Sequence, residues 1–352
     1  MIEVPLAREA AIPPRLFIPQ PIPEVARRRL EERCQVTLYD HTDRRIPYEE
    51  LLQSVTDQEI LFAMGEIPYD RRVIEAAGNL QLIAAMHASA KFVDREAASE
   101  RGIPITIIPN RIARTTAEFT FALLMATAWR IPEADRFLRE GDWRQNQSTA
   151  FLGTRLFDKT LGIVGMGTIG TDVAARARAC GMRVLYTKRQ RLGPAEELAL
   201  GVDYRSLVDI FREADFVAVT TALTRETKGM IDAELLGMMK PSAILINTSR
   251  GPVVDEDALE QALAEGRIRG AGLDVYHREI PEVDDPGPSE RMQSLPNVVL
   301  TPHIGTAARE TREEMALRTA ENIERFLDGL RPLDVLNPEV YGEAAVYDER
   351  IG

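Results

Sequence analysis

The segment Gly165–Gly170, GMGTIG, constrains the fold of this chain more than any other feature. It follows the apolar run LGIV, precedes a stretch with a helical pattern, and is followed by a further apolar run, MRVLYT. In this strand–turn–helix–strand context the glycines predict a dinucleotide-binding unit. Gly165 would allow a tight turn, Gly167 would let the backbone approach a pyrophosphate, and Gly170 would let the helix pack against the strand.

Two further places in this unit refine the prediction: the start of its helix and the end of its second strand. Thr168 and Ile169 open the helix, where free backbone N–H groups would face the phosphates. An NAD-binding unit usually ends its second strand with an acidic residue for the ribose 2′-hydroxyl. Here Lys188 and Arg189 stand in that place, and cations suit a 2′-phosphate. We therefore predict NADP as cofactor; NAD stays open, because the two cations could simply form a solvated edge.

Apolar runs alternate with helical patterns over most of the 352 residues. This alternation predicts parallel sheets with helical crossovers, and the length predicts two domains. One long helix is expected over about Thr116–Glu140, opened by a TTAE cap. The acidic, proline-rich segment between Tyr276 and Leu295 is expected to be a surface loop. A final helix should run from Gly305 to about Leu330.

Composition excludes several classes of function. A formal net charge of −12 argues against a sequence-independent grip on nucleic acid. The two cysteines, with no CxxC or His/Cys cluster, predict neither a disulfide framework nor a metal site. The N-terminal segment does not resemble a signal peptide, and the longest apolar run, FTFALLMATAW, is too short to span a bilayer. We therefore expect a cytoplasmic protein without membrane contact.

Three further segments place chemically useful side chains after buried strands. Arg250 follows one strand, Asp274 ends another with Glu279 in the loop behind it, and His303 follows a third. In an open α/β sheet, ligands bind outside the carboxyl ends of the strands, where all three segments terminate. The alternatives are His87 or His277 for the histidine. For the acid, the alternative is Glu282.

The segments GMGTIG, SRGPVVDEDAL, AGLDV and PHIG, in this order, resemble the D-isomer-specific 2-hydroxyacid dehydrogenase family. The resemblance covers about residues 80–330. It implies two Rossmann-like, doubly wound parallel-sheet domains, with a dinucleotide-binding domain (110–303) inserted within a substrate domain (1–109 plus 304–352). It implies hydride transfer between NAD(P)H and a 2-oxo acid to give a D-2-hydroxy acid, in the manner of glyoxylate/hydroxypyruvate reductases. A homodimer is implied too, joined through the helix 116–140 and the arm that follows it, the polar segment GDWRQNQSTAFLGTRLFDKT.

The resemblance also assigns roles. Arg250 would hold the substrate carboxylate and carbonyl oxygen, and His303 would exchange a proton with that oxygen. Glu279 would bind the other ring nitrogen of His303, and Asp274 would help to position the nicotinamide amide. The full set of cofactor contacts implied is Gly165, Gly167, Thr168, Ile169, Gly170, Lys188, Arg189, Thr221, Thr248, Asp274 and Gly305.

One loop departs from the family pattern. Where the family has glycines and an Asp-Asn pair to bind the substrate carboxylate, this chain has alanine at position 90 and Lys91-Phe92. Backbone N–H groups of Ala88, Ser89 and Ala90 could still bind a carboxylate. Lys91 and His87 could add charge for a second anionic group of the substrate, or Lys91 could point to solvent.

Two other functions remain to be weighed. A dinucleotide-sensing binding protein of the same fold, comparable to a corepressor, would need no catalytic set, and the presence of Arg250, Glu279 and His303 favours an enzyme. Formate and phosphite dehydrogenases share the fold. Formate dehydrogenases carry glutamine where Glu279 aligns, and Lys91 does not align with the lysine of phosphite dehydrogenases.

Overall fold

The computed structural model describes residues 12–65, 67–109, 112–146, 148–279 and 287–342. The chain forms two compact units, one of residues 1–111 with 309–352 and one of residues 112–308. The second unit is therefore an insertion in the first. The breaks at 111 and 308 lie C-terminal to the positions 109 and 303 expected from the sequence.

The first unit begins with strands and helices in strict alternation. In chain order these are β1 (Arg15–Ile18), α1 (Glu24–Glu31), β2 (Gln35–Leu38), α2 (Tyr48–Ser54), β3 (Ile60–Ala63), α3 (Arg71–Ala76), β4 (Leu82–Ala85), α4 (Arg95–Glu100) and β5 (Ile105–Thr106). The strands pair in parallel in the order β2-β1-β3-β4-β5. β3 and β4 are buried at every position, since helices cover both faces of a parallel sheet.

The second unit contains the larger sheet. Its elements are α5 (Ala113–Ala128), α6 (Ile131–Arg139), β6 (Thr160–Val164), α7 (Thr168–Ala179), β7 (Arg183–Thr187), α8 (Pro194–Leu200), β8 (Asp203–Tyr204), α9 (Leu207–Glu213), β9 (Phe216–Val219), α10 (Ala233–Met238), β10 (Ile244–Asn247), α11 (Glu256–Ala264), β11 (Gly270–Leu273), α12 (Glu290–Ser294) and β12 (Val298–Leu300). The parallel order is β12-β11-β10-β9-β6-β7-β8. Strand order reverses between β6 and β9, which is where a doubly wound sheet opens its ligand crevice.

The predicted single helix over 116–140 is wrong. α5 ends at Ala128, and Arg130 adopts a left-handed backbone with φ of 54° before α6 begins. Pro132 lies in the first turn of α6, where the missing N–H costs nothing, whereas inside a continuous helix it would remove a hydrogen bond. The expected TTAE cap is also wrong, because Thr116 lies inside α5 and its hydroxyl donates to the carbonyl of Ile112.

The C-terminal helix of the first unit is α13, Arg309–Leu327, which starts four residues later than expected. It buries Met315, Ala316 and Ile323. The segment expected to be a loop contains the short helix α12, and its residues 280–286 lie outside the described part of the chain. No described helix is long and apolar enough to cross a membrane.

Candidate active site

The turn after β6 has the geometry that its glycines predict. Gly165 has φ of +104°, and a Cβ there would lie 2.6 Å from the backbone nitrogen of Thr221. A Cβ on Gly170 would lie 2.3 Å from the carbonyl oxygen of Gly165. At Gly167 a Cβ would meet no protein atom within 4 Å. Two glycines are thus required by the chain itself, while the space at Gly167 is open to a ligand.

The N-terminus of α7 is also suited to phosphate. Gly167 is its N-cap and provides no side-chain acceptor for the first N–H groups of the helix. The amides of Thr168 and Ile169 belong to this first turn, where an intrahelical partner does not exist. Helix N-termini bind phosphate through such amides and the helix dipole. The β6–α7 turn therefore fits the pyrophosphate of a dinucleotide.

The end of β7 presents cations of two kinds. Lys188 is half-buried and Arg189 exposed, and neither forms an ion pair with any residue in the described ranges. Arg191, by contrast, is paired with Glu197 through two hydrogen bonds of 2.8 Å. That pair and a hydrogen bond from the Tyr186 hydroxyl lower the pKa of Glu197 to about 2. Lys188 and Arg189 thus remain available to a 2′-phosphate.

Two threonines assigned to the cofactor follow neighbouring strands. Thr221 lies after β9, beside the glycine turn, and is half-buried. Thr248 follows β10, and its hydroxyl lies 2.6 Å from that of Thr120 on α5. The backbone of Thr221 could face the cofactor, whereas the hydroxyl of Thr248 already has a partner within the protein.

Arg250 lies at the carboxyl end of β10, as expected. Its guanidinium donates to the carbonyl oxygen of Ser249 at 2.6 Å, and the amide of Asn247 donates to the carbonyl of Arg250 at 3.1 Å. The side chain is half-buried. The next residue, Gly251, has no room for a side chain, because a Cβ would lie 2.0 Å from the carbonyl carbon of Tyr276. The segment with Arg250 is therefore packed directly against the one that leads to Glu279.

Asp274 is only 1 % exposed and its carboxylate is fully engaged. It accepts hydrogen bonds from the Thr301 hydroxyl (2.7 Å) and from the backbone amides of Ile304 (2.9 Å) and Gly305 (2.8 Å). Burial raises its pKa, and these hydrogen bonds oppose the rise. In the structure this side chain organises the turn around His303, and no motif in the sequence predicts these contacts.

Glu279 and His303 form a close pair. The Nδ1 atom of His303 lies 2.7 Å from the Oε2 atom of Glu279. The Glu279 side chain is 12 % exposed and that of His303 is 43 % exposed. This contact places the proton of a neutral imidazole on Nδ1 or supports a charged ring, and it leaves Nε2 as the nitrogen that would face a substrate.

The residues considered as alternatives to His303 and Glu279 have different contacts. The Nε2 atom of His87 accepts a hydrogen bond from the backbone amide of Gly65 at 2.7 Å. His277 is exposed, and its backbone amide donates to Glu256 at 2.7 Å. Glu282 lies outside the described residues. His303 has, in the pair with Glu279, a carboxylate contact that can orient the imidazole for acid–base chemistry.

Tyr276 and Thr301 also belong to this region, and neither was predicted from the sequence to have a role. The hydroxyl of Tyr276 donates to the carbonyl of Thr301 at 2.8 Å, and its backbone amide donates to Oε1 of Glu279 at 2.9 Å. Thr301 in turn binds Asp274 through its hydroxyl. The only signal in the sequence is their position next to residues already singled out, because the partners are about 25 residues apart.

The departing loop lies in the first unit, after β4. Ala88, Ser89 and Ala90 are half-buried, and the Nζ atom of Lys91 lies 4.7 Å above the ring of Phe92. The carbonyl of His87 accepts from the amide of Ile108 at 2.8 Å, which ties the start of the loop to the chain beyond β5. The loop thus follows the carboxyl end of a central strand of its sheet, where ligands bind in such folds.

The second unit matches a known protein family. Residues 121–305 match the model described as D-isomer specific 2-hydroxyacid dehydrogenase, NAD binding domain. This range lies within the second unit and includes the glycine turn, Arg250, Glu279 and His303.

Individual relatives extend the similarity over nearly the whole chain. A glyoxylate reductase of Pyrococcus furiosus is 43 % identical over 331 residues, which cover 93 % of this chain and 96 % of the relative. One of Thermococcus kodakarensis is 44 % identical, with 93 % and 97 % covered. Among solved structures, a protein of Thermus thermophilus superposes with a TM-score of 0.83 at 40 % identity, with 92 % and 99 % covered. An NADPH-dependent glyoxylate/hydroxypyruvate reductase of Sinorhizobium meliloti, in complex with NADP and malonate, gives 0.74 at 28 % identity, with 92 % and 96 % covered.

Proposed function

The chain belongs to the D-isomer specific 2-hydroxyacid dehydrogenases, and we propose that it is a glyoxylate/hydroxypyruvate reductase that uses NADPH. The observation that carries the proposal is the contact of 2.7 Å between Nδ1 of His303 and Glu279, at the same sheet edge as Arg250. Relatives named glyoxylate reductase support the substrate class. These relatives do not support the alternative functions, those of a corepressor-like binding protein or of a phosphite or formate dehydrogenase.

In the proposed reaction the chain's own residues orient the substrate and move one proton. The guanidinium of Arg250 would hold the carboxylate of the 2-oxo acid in a planar fork. His303 would donate a proton from Nε2 to the carbonyl oxygen, and Glu279 would keep the ring oriented and stabilise its charged form. The nicotinamide, when bound, supplies the hydride. In the reverse direction His303 would accept the proton from the 2-hydroxy acid.

The preference for NADPH rests on the end of β7. No acidic residue follows this strand directly, so the strand end itself would not repel a 2′-phosphate. Lys188 and Arg189 would bind it with charge-assisted hydrogen bonds. The glycine turn would hold the pyrophosphate, and the backbones near Thr221 and Gly305 would complete the cofactor site.

The loop of Ala88, Ser89 and Ala90 would contribute backbone N–H groups to the substrate carboxylate. Lys91 would extend the substrate class to acids with a second anionic group. If so, Lys91→Ala should raise the KM for 2-oxoglutarate and leave that for glyoxylate unchanged. Equal kinetics of both proteins on every acid tested would remove this part of the proposal.

We also propose a cytoplasmic homodimer. Large apolar side chains on α5, α6 and the arm behind them are exposed in the second unit: Met125, Trp129, Ile131, Leu138, Trp143, Leu152 and Phe157. A cluster of this kind is typical of a surface that another protein covers. Both cysteines are free, which suits a reducing compartment. Light scattering should give twice the chain mass of 39.3 kDa; a monomer would contradict the dimer.

The test of the proposed function is the decay of NADPH absorbance, and separately of NADH absorbance, with purified protein. The panel contains glyoxylate, hydroxypyruvate, pyruvate, 2-oxoglutarate and phenylpyruvate. Turnover with glyoxylate and NADPH that is lost in His303→Ala and Arg250→Ala would support it, with His277→Ala as the active control. Absence of turnover with every acid, while both cofactors raise the Tm, would favour the binding-protein alternative.

A further inference from the structure

Tyr276 closes a ring of hydrogen bonds that contains both His303 and Glu279. Its backbone amide donates to Oε1 of Glu279 at 2.9 Å, and Oε2 of the same carboxylate lies 2.7 Å from Nδ1 of His303. The backbone amide of His303 donates to the carbonyl of Asp274 at 3.0 Å and also to that of Thr301 at 3.1 Å. The Thr301 carbonyl also accepts from the Tyr276 hydroxyl at 2.8 Å, which completes the ring.

The ring joins two segments that are distant in sequence. Tyr276 and Glu279 follow β11, whereas Thr301 and His303 follow β12. His303 has φ of +51°, a left-handed conformation that side chains rarely adopt and that the surroundings must maintain. Asp274 fixes the amides on the far side of this turn, those of Ile304 and Gly305. On the near side, the Thr301 hydroxyl donates to Asp274, and the Tyr276 hydroxyl donates to the carbonyl of Thr301.

The hydroxyl is suited to a permanent structural contact. Tyr276 is 5 % exposed, and burial raises the pKa of its phenol far above the usual range, so the group stays protonated and remains a donor. Its ring packs in the core of the second unit with Leu273 and Met292. Phenylalanine at this position would keep that packing and remove the hydrogen bond that the hydroxyl shares between the carbonyls of Thr301 (2.8 Å) and Leu273 (3.2 Å).

We propose that Tyr276 is a positioning residue for the reduction of 2-oxo acids, because its hydroxyl sets the imidazole of His303 against Glu279. The proposal rests on the proposed function for its effect on turnover, but the geometric part concerns the His303 ring itself. It can therefore be tested without substrate.

The kinetic experiment compares wild type, Tyr276→Phe, Glu279→Gln and the double variant with glyoxylate and NADPH. Tyr276→Phe should lower kcat about fivefold to tenfold, the factor that one hydrogen bond contributes, with KM for NADPH unchanged. If Tyr276 acts through Glu279, the double variant should be no slower than Glu279→Gln alone, whereas independent effects would multiply. Multiplying effects, or an unchanged kcat in Tyr276→Phe, would overturn the proposal.

A matched control separates positioning from general stability. Tyr69 in the first unit is also buried, and its hydroxyl donates to the carbonyl of Phe62 at 3.2 Å. Tyr69→Phe should lower Tm about as much as Tyr276→Phe and leave kcat near that of wild type. An equal loss of kcat in both variants would show that the effect is one of stability alone, and would also overturn the proposal.

The substrate-free readout is the tautomer of His303, measured by NMR on protein with ¹⁵N-labelled histidine at a pH where the ring is neutral. The contact with Glu279 should keep the proton on Nδ1 in wild type. Tyr276→Phe should increase the fraction protonated on Nε2, and Tyr69→Phe should not. If wild type reduced no acid but this shift occurred, the proposed function would be wrong and the positioning role would stand. An unchanged tautomer in Tyr276→Phe would contradict the positioning role.

Discussion

The turn around His303 and the end of β7 are built in opposite ways. In the turn, the carboxylates of Asp274 and Glu279 each bind partners within the chain, so the geometry is set before any ligand arrives. At the end of β7, Lys188 and Arg189 form no ion pair within the described residues. A group fixed in advance acts on the chemical step, since no reorganisation is needed during reaction. Such cations can form an ion pair when an anionic ligand binds.

This difference predicts where each kind of variant shows its effect. Changes in the turn around His303 should act mainly on kcat. Changes at the end of β7 should act mainly on the KM for the cofactor.

The largest effect is expected for His303→Asn. Asparagine tolerates the left-handed backbone at this position, so the turn should persist while the proton donor is lost. We expect kcat with glyoxylate to fall by about 10²–10⁴-fold, the range of general acid catalysis, with little change in Tm. Stopped-flow and calorimetry measure the two. If kcat stayed within about threefold of wild type, His303 would not be the proton donor.

Gly251→Ala tests the fixed geometry without removing a functional group. The new methyl would overlap the backbone of Tyr276, so the segments that carry Arg250 and Glu279 must move apart. We expect a fall in kcat of about 10–100-fold and a loss of stability of about 1–3 kcal/mol. Gly237→Ala on α10, where a Cβ meets nothing within 4 Å, is the control and should be neutral or slightly stabilising. Equal behaviour of the two variants would show that this edge is not tightly fixed.

The cations at the end of β7 should give a smaller effect, on cofactor binding and not on the chemical step. Arg189→Ala removes one charge from the proposed 2′-phosphate site. KM for NADPH should rise about tenfold, that for NADH should change little, and kcat should be nearly unchanged. Steady-state kinetics with both cofactors decide this, with Arg212→Ala on α9 as an exposed control in the same unit. A parallel rise for both cofactors would contradict the assignment of these cations to the phosphate.

The smallest effect concerns the paired cation of that region. Because Arg191 and Tyr186 lower the pKa of Glu197 to about 2, its ionised form is favoured in the folded state. Its contribution to stability is complete above the usual carboxyl pKa and is lost as pH falls from about 4.5 towards 2. The free energy of unfolding of wild type should thus exceed that of Glu197→Gln at pH 7, and the gap should narrow in acid. Urea titrations at pH 7 and 3.5 measure it; a constant gap would contradict the ion pair.

Local pattern was sufficient for much of the molecule. The apolar strands, the glycine turn and the positions of Arg250 and His303 after their strands follow from residue order, because a parallel sheet collects its strand ends at one edge. The break at Arg130 did not follow, since the apolar pattern of α5 continues past it. The partners of Asp274 could not be predicted either, as the backbone amides that it binds lie 30 and 31 residues away and carry no sequence signal.

The insertion of one unit into the other has a consequence for synthesis on the ribosome. The first unit is held together by its two ends: the amide of Ile107 donates to the carbonyl of Asp334, Asn337 accepts from the amide of Ile105, and Arg33 pairs with Asp328. Residues 12–109 therefore lack these partners until the whole of residues 112–308 has been made. Domains fold as units during translation. The second unit starts later in the sequence but is the first unit whose residues are all synthesised. The N-terminal strands can complete their own unit only after α13 and the residues that follow it have been made.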